Sequence, residues 1–256
     1  MQEYTSLKIA VKDGLATVEM TNGKVNAIDT QLSEDLLGAF TALETDATVS
    51  GVVLTGRPGC FCAGLDIKHM AGFTDETLRK FWHANLGALR AMVRLSKPFV
   101  CAVTGFAPAG GTILALTADY RIMASGAKHT LGMNEFNMSL LIPQTFGEIY
   151  AAYLGEHRAW ASVQQAKMYT AEEAKAVGMV DEVLPEDEVL ARAQKYCRRL
   201  MNVYAPVYAT TKRYQRKNLL ACVAGDIPAQ VDEISSNLDD PRFKMMLDMF
   251  MASLKK

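Results

Sequence analysis

The sequence predicts an α/β fold from three observations. The runs VSGVVLTG (residues 49–56) and PFVCAVTG (98–105) are continuously apolar, which is typical of parallel strands buried on both faces. Segments 30–46 and 74–96 repeat apolar residues with helical spacing. The two kinds of segment alternate along the chain, and this alternation is the pattern of an α/β protein.

The elements before residue 140 follow in order. The segment LKIAVKDGLATVEMTNG (7–23) predicts a hairpin, because Asp13-Gly14 is a preferred pair in tight turns. A helix (30–46), a strand (49–56) and a second helix (74–96) come next, and Pro98 ends that helix. Residues 105–112 are predicted as a turn that leads into a helix at 110–118. Strands are then expected at 120–125 and 129–133.

The later part is predicted to be mainly helical. One helical stretch covers 145–168, and Thr170 and Glu173 form a capping box for a helix that ends near Gly178. VDEVLP (180–185) is a last short strand. We expect a core over residues 1–190 and a helical tail over 191–256, with the Met-rich segment FKMMLDMFMASL (243–254) at its end. The apolar faces of the tail either fold back on the core or bind a partner subunit.

Composition excludes several classes of protein. Of the 256 residues, 50% are hydrophobic and the net charge is −1, so no basic field indicates nucleic-acid binding. The chain has no apolar run long enough for a membrane span and no signal-peptide pattern. Its five cysteines are scattered and odd in number, which predicts reduced thiols and a cytoplasmic location. Cys60 and Cys62 lack the further ligands of a metal site, so no metal is expected.

Two glycine-containing segments could bind a ligand through main-chain amides. GFAPAGGT (105–112) has the outline of a phosphate-binding loop, but Gly111 stands where that loop needs a lysine. Gly110 and Gly111 would still present free N–H groups at a helix start, or would simply allow close packing. GRPGCFCAGLDIKHM (56–70) follows a predicted strand, and its Asp66 could cap a short helix or bind a ligand.

Glu135 is the one carboxylate between Asp119 and Glu148, within the mostly apolar stretch LGMNEFNMSL. It is either a structural residue at a strand end or a base with a raised pKa. The four histidines are scattered, and a G-x-S-x-G motif is absent. Triad hydrolysis and metal catalysis therefore have no support in the sequence.

Four segments, in order, resemble the crotonase superfamily of enoyl-CoA hydratases and isomerases. They are GCFCAGLDIKHM, KPFVCAVTGFAPAGGTILALTADYRIMAS, TLGMNE and TAEEAKAVGMVDEVLP. The pieces AGLD, PAGG, DYRI and NE are most similar to Δ3,Δ2-enoyl-CoA isomerases. The resemblance implies the crotonase (ClpP-like) fold, a spiral of β-β-α units, with a C-terminal helical region.

The resemblance also implies a site. The two amides of the family's oxyanion hole correspond to Leu65 and Gly110, and the catalytic glutamate corresponds to Glu135. Hydratases have a second glutamate, which corresponds here to Ile113. The substrate-binding residues that the resemblance implies are Ala63, Gly64, Asp66, Ile67 and Gly111.

The implied reaction is isomerisation of 3-enoyl-CoA to 2-enoyl-CoA in fatty-acid metabolism, since one base suffices for it and hydration uses two carboxylates. No cofactor is expected, because coenzyme A is part of the substrate. The resemblance further implies a homotrimer or hexamer. The alternatives are hydration, thioester hydrolysis, or a non-catalytic protein that binds acyl-CoA or RNA. Only the basic run KRYQRK (212–217) favours RNA, and a solvated helix face or a contact to CoA phosphates explains it as well.

Overall fold

The computed structural model describes residues 3–238, 240, 241 and 245 and confirms the α/β class with a helical C-terminal region. Its strands are β1 (Leu7–Lys12), β2 (Leu15–Met20), β3 (Gly51–Thr55), β4 (Gly59–Cys60), β5 (Phe99–Val103), β6 (Gly105–Pro108), β7 (Tyr120–Ala124), β8 (Thr130–Gly132), β9 (Tyr169–Thr170) and β10 (Glu182–Leu184). Its helices are α1 (Thr30–Thr45), α2 (Ile67–Met70), α3 (Asp75–Arg94), α4 (Gly110–Leu116), α5 (Gln144–Leu154), α6 (Glu156–Gln164), α7 (Ala171–Ala176), α8 (Glu186–Met201), α9 (Ala205–Gln215), α10 (Lys217–Cys222) and α11 (Ile227–Leu238), and a 3₁₀ helix covers Glu135–Met138.

The larger sheet has the strand order β1-β2-β3-β5-β7-β10. Its first pair is the predicted hairpin, in which Asp13 and Gly14 both have positive φ (53° and 76°), and the other pairs are parallel. Successive residues of the central strands face opposite sides. Val52 and Leu54 belong to the main core with α1 and α3, whereas Val53 belongs to a second core beneath α8. This two-sided burial explains the continuous apolar runs.

Helix α8 is part of the core rather than of a separate tail. Its buried residues Val189, Ala193 and Cys197 pack against β3, β5 and β7. The predicted division between residues 190 and 191 therefore falls inside this helix. The helix continues across it because its apolar stripe needs the back of the sheet to be buried.

A second, smaller sheet was not predicted. Its strand order is β4-β6-β8-β9, and each of its strands is two to four residues long. Strand β6 covers Gly105–Pro108, which the sequence predicted as a turn, and it pairs in parallel with β8. Such short strands are stabilised by pairing between distant segments, so local sequence gives little sign of them. This sheet leads directly into the candidate site.

The helical predictions hold with one change. The capping box at Thr170 and Glu173 is present. The predicted helix over 145–168 is broken at Gly155 (φ 74°) into α5 and α6. Most of the Met-rich segment 243–254 lies outside the described residues. Within the described residues no helix is both long and apolar enough to cross a membrane.

The basic run 212–217 is partly buried against the core, and its interpretation as a solvated helix face was wrong for Lys212 and Arg216, whose side chains are 7% and 14% exposed. A contact to CoA phosphates stays a prediction. Asp119, just before β7, accepts hydrogen bonds from Lys212 Nζ (2.7 Å), Tyr208 Oη (2.9 Å) and the Phe99 amide (2.9 Å). Arg216 also pairs with Asp119. Burial lowers the pKa of Lys212. Two of the run's cations thus hold α9 and the start of α10 against the amino ends of the strands.

Candidate active site

The loop at residues 63–66 is held by the main chain of Ile28. The Ile28 amide donates to Gly64 O (2.7 Å), and the Asp66 amide donates to Ile28 O (2.9 Å). Ile28 and Leu65 thus form a parallel β-bridge. Its two hydrogen bonds are made by Gly64 and Asp66, the residues on either side of Leu65. Because main-chain groups alternate in direction along an extended segment, the Leu65 amide points away from Ile28. It has no acceptor among the described residues.

Gly64 brings this loop against the start of α4. It has φ +79°, and a Cβ there would lie 3.0 Å from Pro108 O and 3.1 Å from Ala109 Cβ. A Cβ at Gly110 would lie 3.7 Å from Leu65 Cδ2. Only a glycine at position 64 permits both the backbone angle and the close approach. The predicted pair Leu65 and Gly110 is therefore brought together.

Backbone strain fixes the direction of the Gly110 amide. Ala109, the N-cap of α4, has φ 52° and ψ −123°, a conformation that costs a non-glycine residue energy. Its own amide donates to Gly132 O (2.7 Å). The Gly110 amide begins the helix and has no acceptor in the described part of the chain. Two donors, Leu65 N–H and Gly110 N–H, are thus left without acceptors on two segments that pack together, since a Cβ on Gly64 would lie 3.5 Å from Gly110 N.

Four predicted binding residues have structural roles in the loop and the helices beside it. A Cβ on Gly111 would lie 2.2 Å from Cys62 O, so this glycine allows α4 to pack on the loop. The Asp66 carboxylate caps α2 by accepting from the His69 amide (2.9 Å). Ile67 begins that same short helix and is half-buried. Ala63 donates its amide to Val25 O (3.0 Å) and so anchors the loop.

Glu135 is the first residue of the 3₁₀ helix that follows β8. It is only 3% exposed, and its Oε2 has no hydrogen-bond partner among the described residues. Burial raises the pKa of Glu135 from its usual value of 4.5 to about 7, opposed only by a hydrogen bond from its own backbone. No neighbouring charge in the described structure contributes to this rise in pKa. A carboxyl with such a pKa is a competent base near neutrality.

Thr112 joins the elements that carry Gly110 and Glu135. Its hydroxyl contacts Ala107 O (2.6 Å) and Gly132 O (3.2 Å) and accepts a hydrogen bond from the Gly132 amide (2.7 Å). Thr112 was not among the predicted site residues. Thr112 is the last residue of the segment that has the outline of a phosphate-binding loop, and this pattern could have drawn attention to it. Its hydroxyl, however, bonds to main-chain groups of this chain.

Apolar and aromatic groups surround the candidate site. Ile113, at the position of the hydratases' second glutamate, is fully buried in the main core. Phe146 of α5 approaches Gly110, since a Cβ there would lie 3.7 Å from Phe146 Cε2. Burial, with a smaller contribution from the Glu135 carboxylate, raises the pKa of Tyr150. Phe146 and Tyr150, both on α5, were not predicted as site residues.

Comparison with known proteins identifies the family. The model of the enoyl-CoA hydratase/isomerase family matches residues 10–255. The chain belongs to the enoyl-CoA hydratase/isomerase family. Among curated members of this family, "Enoyl-CoA delta isomerase 1, mitochondrial" of Rattus norvegicus is 29% identical over 95% of this chain and 84% of its own length. "Probable enoyl-CoA hydratase" of Rhizobium meliloti is 29% identical over 80% of this chain and 78% of its own length.

A solved structure of the same family supports the fold. The crystal structure of human mitochondrial delta3-delta2-enoyl-CoA isomerase superimposes with a TM-score of 0.92 at 28% identity, and 98% of each chain is covered. The expected crotonase fold is thereby confirmed. The resemblance seen in the sequence is confirmed at the level of the family and of similarity to an isomerase.

Proposed function

We propose that this enzyme isomerises 3-enoyl-CoA thioesters to 2-enoyl-CoA thioesters in fatty-acid metabolism, with Glu135 as its single base. The observation that carries the proposal is the isolation of Glu135. Burial raises the pKa of its carboxyl to about 7, and no second carboxylate among the described residues contributes to that rise. Two carboxylates sharing a site would raise one another's pKa by charge repulsion.

The two free amides would stabilise the negative charge that forms on the substrate during the reaction. Removal of a proton beside a thioester carbonyl places negative charge on the carbonyl oxygen. Leu65 N–H and Gly110 N–H would donate to that oxygen. Each such donor contributes about 3–4 kcal/mol to transition-state stabilisation in other enzymes. Because the amides belong to a bridged loop and a helix start, little reorganisation is needed during the reaction.

The reaction then proceeds in two proton transfers. The Glu135 carboxylate takes a proton from C2 of the 3-enoyl-CoA, and the electrons of that bond form a dienolate with its charge on the thioester oxygen. The protonated Glu135 then returns the proton to C4. The double bond now lies between C2 and C3, and no atom has been gained or lost. A single carboxyl within reach of both carbons performs both steps.

Ile113 favours isomerisation over hydration. Hydration requires a water molecule held by a second polar group, and the corresponding position carries a fully buried isoleucine. An apolar side chain there offers water no hydrogen bond. A lone carboxyl, with an isoleucine where hydratases have their second glutamate, supports proton transfer within the substrate.

A panel of acyl-CoA substrates tests this function directly. The purified protein is given 3-enoyl-CoA and 2-enoyl-CoA substrates of several chain lengths, and formation of 2-enoyl-CoA and of 3-hydroxyacyl-CoA is measured separately. We expect isomerisation to exceed hydration at every chain length. Hydration that matches or exceeds isomerisation would reject the single-base mechanism.

Binding of the CoA group is tested separately by calorimetry. We propose that the loop at 63–67, with Gly111 packed beneath it, meets the thioester and its nucleotide portion. Acetyl-CoA should therefore bind and acetate should not. Equal affinity for the two ligands would reject the assignment of an acyl-CoA substrate.

We further propose a homotrimeric or hexameric assembly. Apolar side chains on and just before α9 support it, since Tyr204, Val207 and Tyr214 are 74%, 54% and 62% exposed. Light scattering on the purified protein would reject the assembly if it reports a monomer at micromolar concentration. A cytoplasmic location stays a prediction, and the rat relative is described as mitochondrial.

A further inference from the structure

Thr112 is a fully buried threonine whose hydroxyl makes more contacts than a packing role requires. Its Oγ1 lies 2.6 Å from Ala107 O and 3.2 Å from Gly132 O, and the Gly132 amide donates to it at 2.7 Å. A hydroxyl has one proton to donate and two lone pairs. The shorter distance assigns that proton to Ala107 O, while a lone pair accepts from the Gly132 amide.

The partners of Thr112 belong to the two halves of the candidate site. Ala107 lies in β6, three residues before Gly110. Gly132 ends β8, three residues before Glu135. The direct link between these halves is the pairing of β6 with β8, continued by the hydrogen bond from Ala109 N to Gly132 O. Thr112 adds a second link from within α4 itself.

No side chain at position 132 could replace the link that Thr112 makes between α4 and the end of β8. A Cβ on Gly132 would lie 2.2 Å from Lys167 O, and Gly132 has φ +154°. The Gly132 amide donates to Thr112 Oγ1 at 2.7 Å, in addition to its place in the ladder between β6 and β8. Without that hydroxyl, α4 would lose the buried hydrogen bond that ties it to the turn leading to Glu135, and the loss of a buried hydrogen-bond partner is costly.

We infer that Thr112 is a positioning residue, which through its hydroxyl sets the placement of the Glu135 carboxyl relative to the Gly110 amide. The inference rests on the proposed isomerase function. Both groups must act on one substrate, so their separation must match the distance between the thioester oxygen and the carbons that exchange the proton. Rates are sensitive to this matching, and a misplacement of about 1 Å costs on the order of 10²-fold.

The test compares Thr112→Val with Thr112→Ser. Valine keeps the shape of threonine but neither donates nor accepts. We expect its kcat to fall by about 10–100-fold, with KM within about threefold of the parent, because substrate binding is retained while the reacting groups are misplaced. Serine keeps the hydroxyl and should restore most of kcat.

Thr117→Val is the matched control. Thr117 is also fully buried, ends the same helix, and donates to Leu114 O (2.6 Å). Its loss removes a buried hydroxyl from α4 without touching Gly132. We expect its kcat to stay near that of the parent, even where its thermal stability falls as far as that of Thr112→Val.

A kcat of folded Thr112→Val close to the parent's, or a loss equal to that of Thr117→Val, would overturn the inference. Amide hydrogen exchange distinguishes failure of the inference about Thr112 from failure of the proposed function. If the parent shows no isomerisation, the proposed function fails, and exchange at residues 132–135 then decides the inference. Faster exchange there in Thr112→Val but not in Thr117→Val supports it, and unchanged exchange rejects it.

Discussion

Glu135→Gln should strongly reduce the rate of isomerisation and at the same time stabilise the protein above neutral pH. Glutamine is uncharged at every pH and nearly the same size as glutamate. In the parent, burial raises the pKa of Glu135 from 4.5 to about 7. Each unit of pKa corresponds to about 1.4 kcal/mol, so ionising this carboxyl in the folded protein lowers stability by about 3 kcal/mol.

The direction follows from proton binding. Between pH 4.5 and about 7 the unfolded chain has released the proton of Glu135 that the folded protein retains. The parent therefore loses stability as the pH rises through this window, and the loss is complete above the folded-state pKa. The glutamine variant has no such loss. Its advantage should be small near pH 4.5 and approach about 3 kcal/mol at pH 8.

Urea denaturation at pH 5 and pH 8 measures this difference, and the isomerase assay is run on the same samples. The rate should fall by about 10²–10⁴-fold. Glu172→Gln is the control, because Glu172 is an exposed glutamate. If the stabilities of the parent and Glu135→Gln change in parallel between the two pH values, Glu135 does not carry a raised pKa. An isomerisation rate in Glu135→Gln within about tenfold of the parent's would refute the single-base mechanism.

Three further predictions concern pH, reaction type and the C-terminal helices. The value of kcat/KM should rise with pH and reach half its plateau near pH 7, where Glu135 becomes a carboxylate; a profile flat between pH 5 and 8 would contradict this. Ile113→Glu should raise the rate of hydration of 2-enoyl-CoA above the parent's level, mainly at alkaline pH, because two close carboxylates raise one another's pKa. Hydration is measured as formation of 3-hydroxyacyl-CoA. No increase in a folded variant would count against the role of Ile113. Asp119→Asn should destabilise the protein by about 3–5 kcal/mol, because it removes the anionic partner of Lys212 and Arg216; urea denaturation checks this, and a loss under about 1 kcal/mol would contradict it.

Local patterns predicted the elements that are stabilised locally. The hairpin turn at Asp13-Gly14 and the capping box at Thr170 and Glu173 depend on residues within a few positions of one another. The apolar runs of β3 and β5 follow directly from burial on both faces. The sequence could therefore establish the α/β class and the order of most elements.

The small sheet needed information from distant segments. Strand β6 is four residues long and contains Gly105 and Pro108, which read locally as a turn. Its hydrogen-bond partners in β4 and β8 come from separate parts of the chain. Similarly, the break at Gly155 depends on where α5 and α6 pack.

Among the site residues, the sequence by itself determined which chemical groups are available. The resemblance selected Glu135, Leu65 and Gly110, whereas the local pattern alone left Glu135 as either a structural residue or a base. Only the tertiary structure decided what these groups can do. The pKa of Glu135 rises because distant elements bury its carboxyl. The Leu65 amide is left free because Ile28, far away in the chain, occupies the groups on either side of it. Burial and main-chain direction depend on contacts between segments that are remote in sequence, so they exist only in the folded protein.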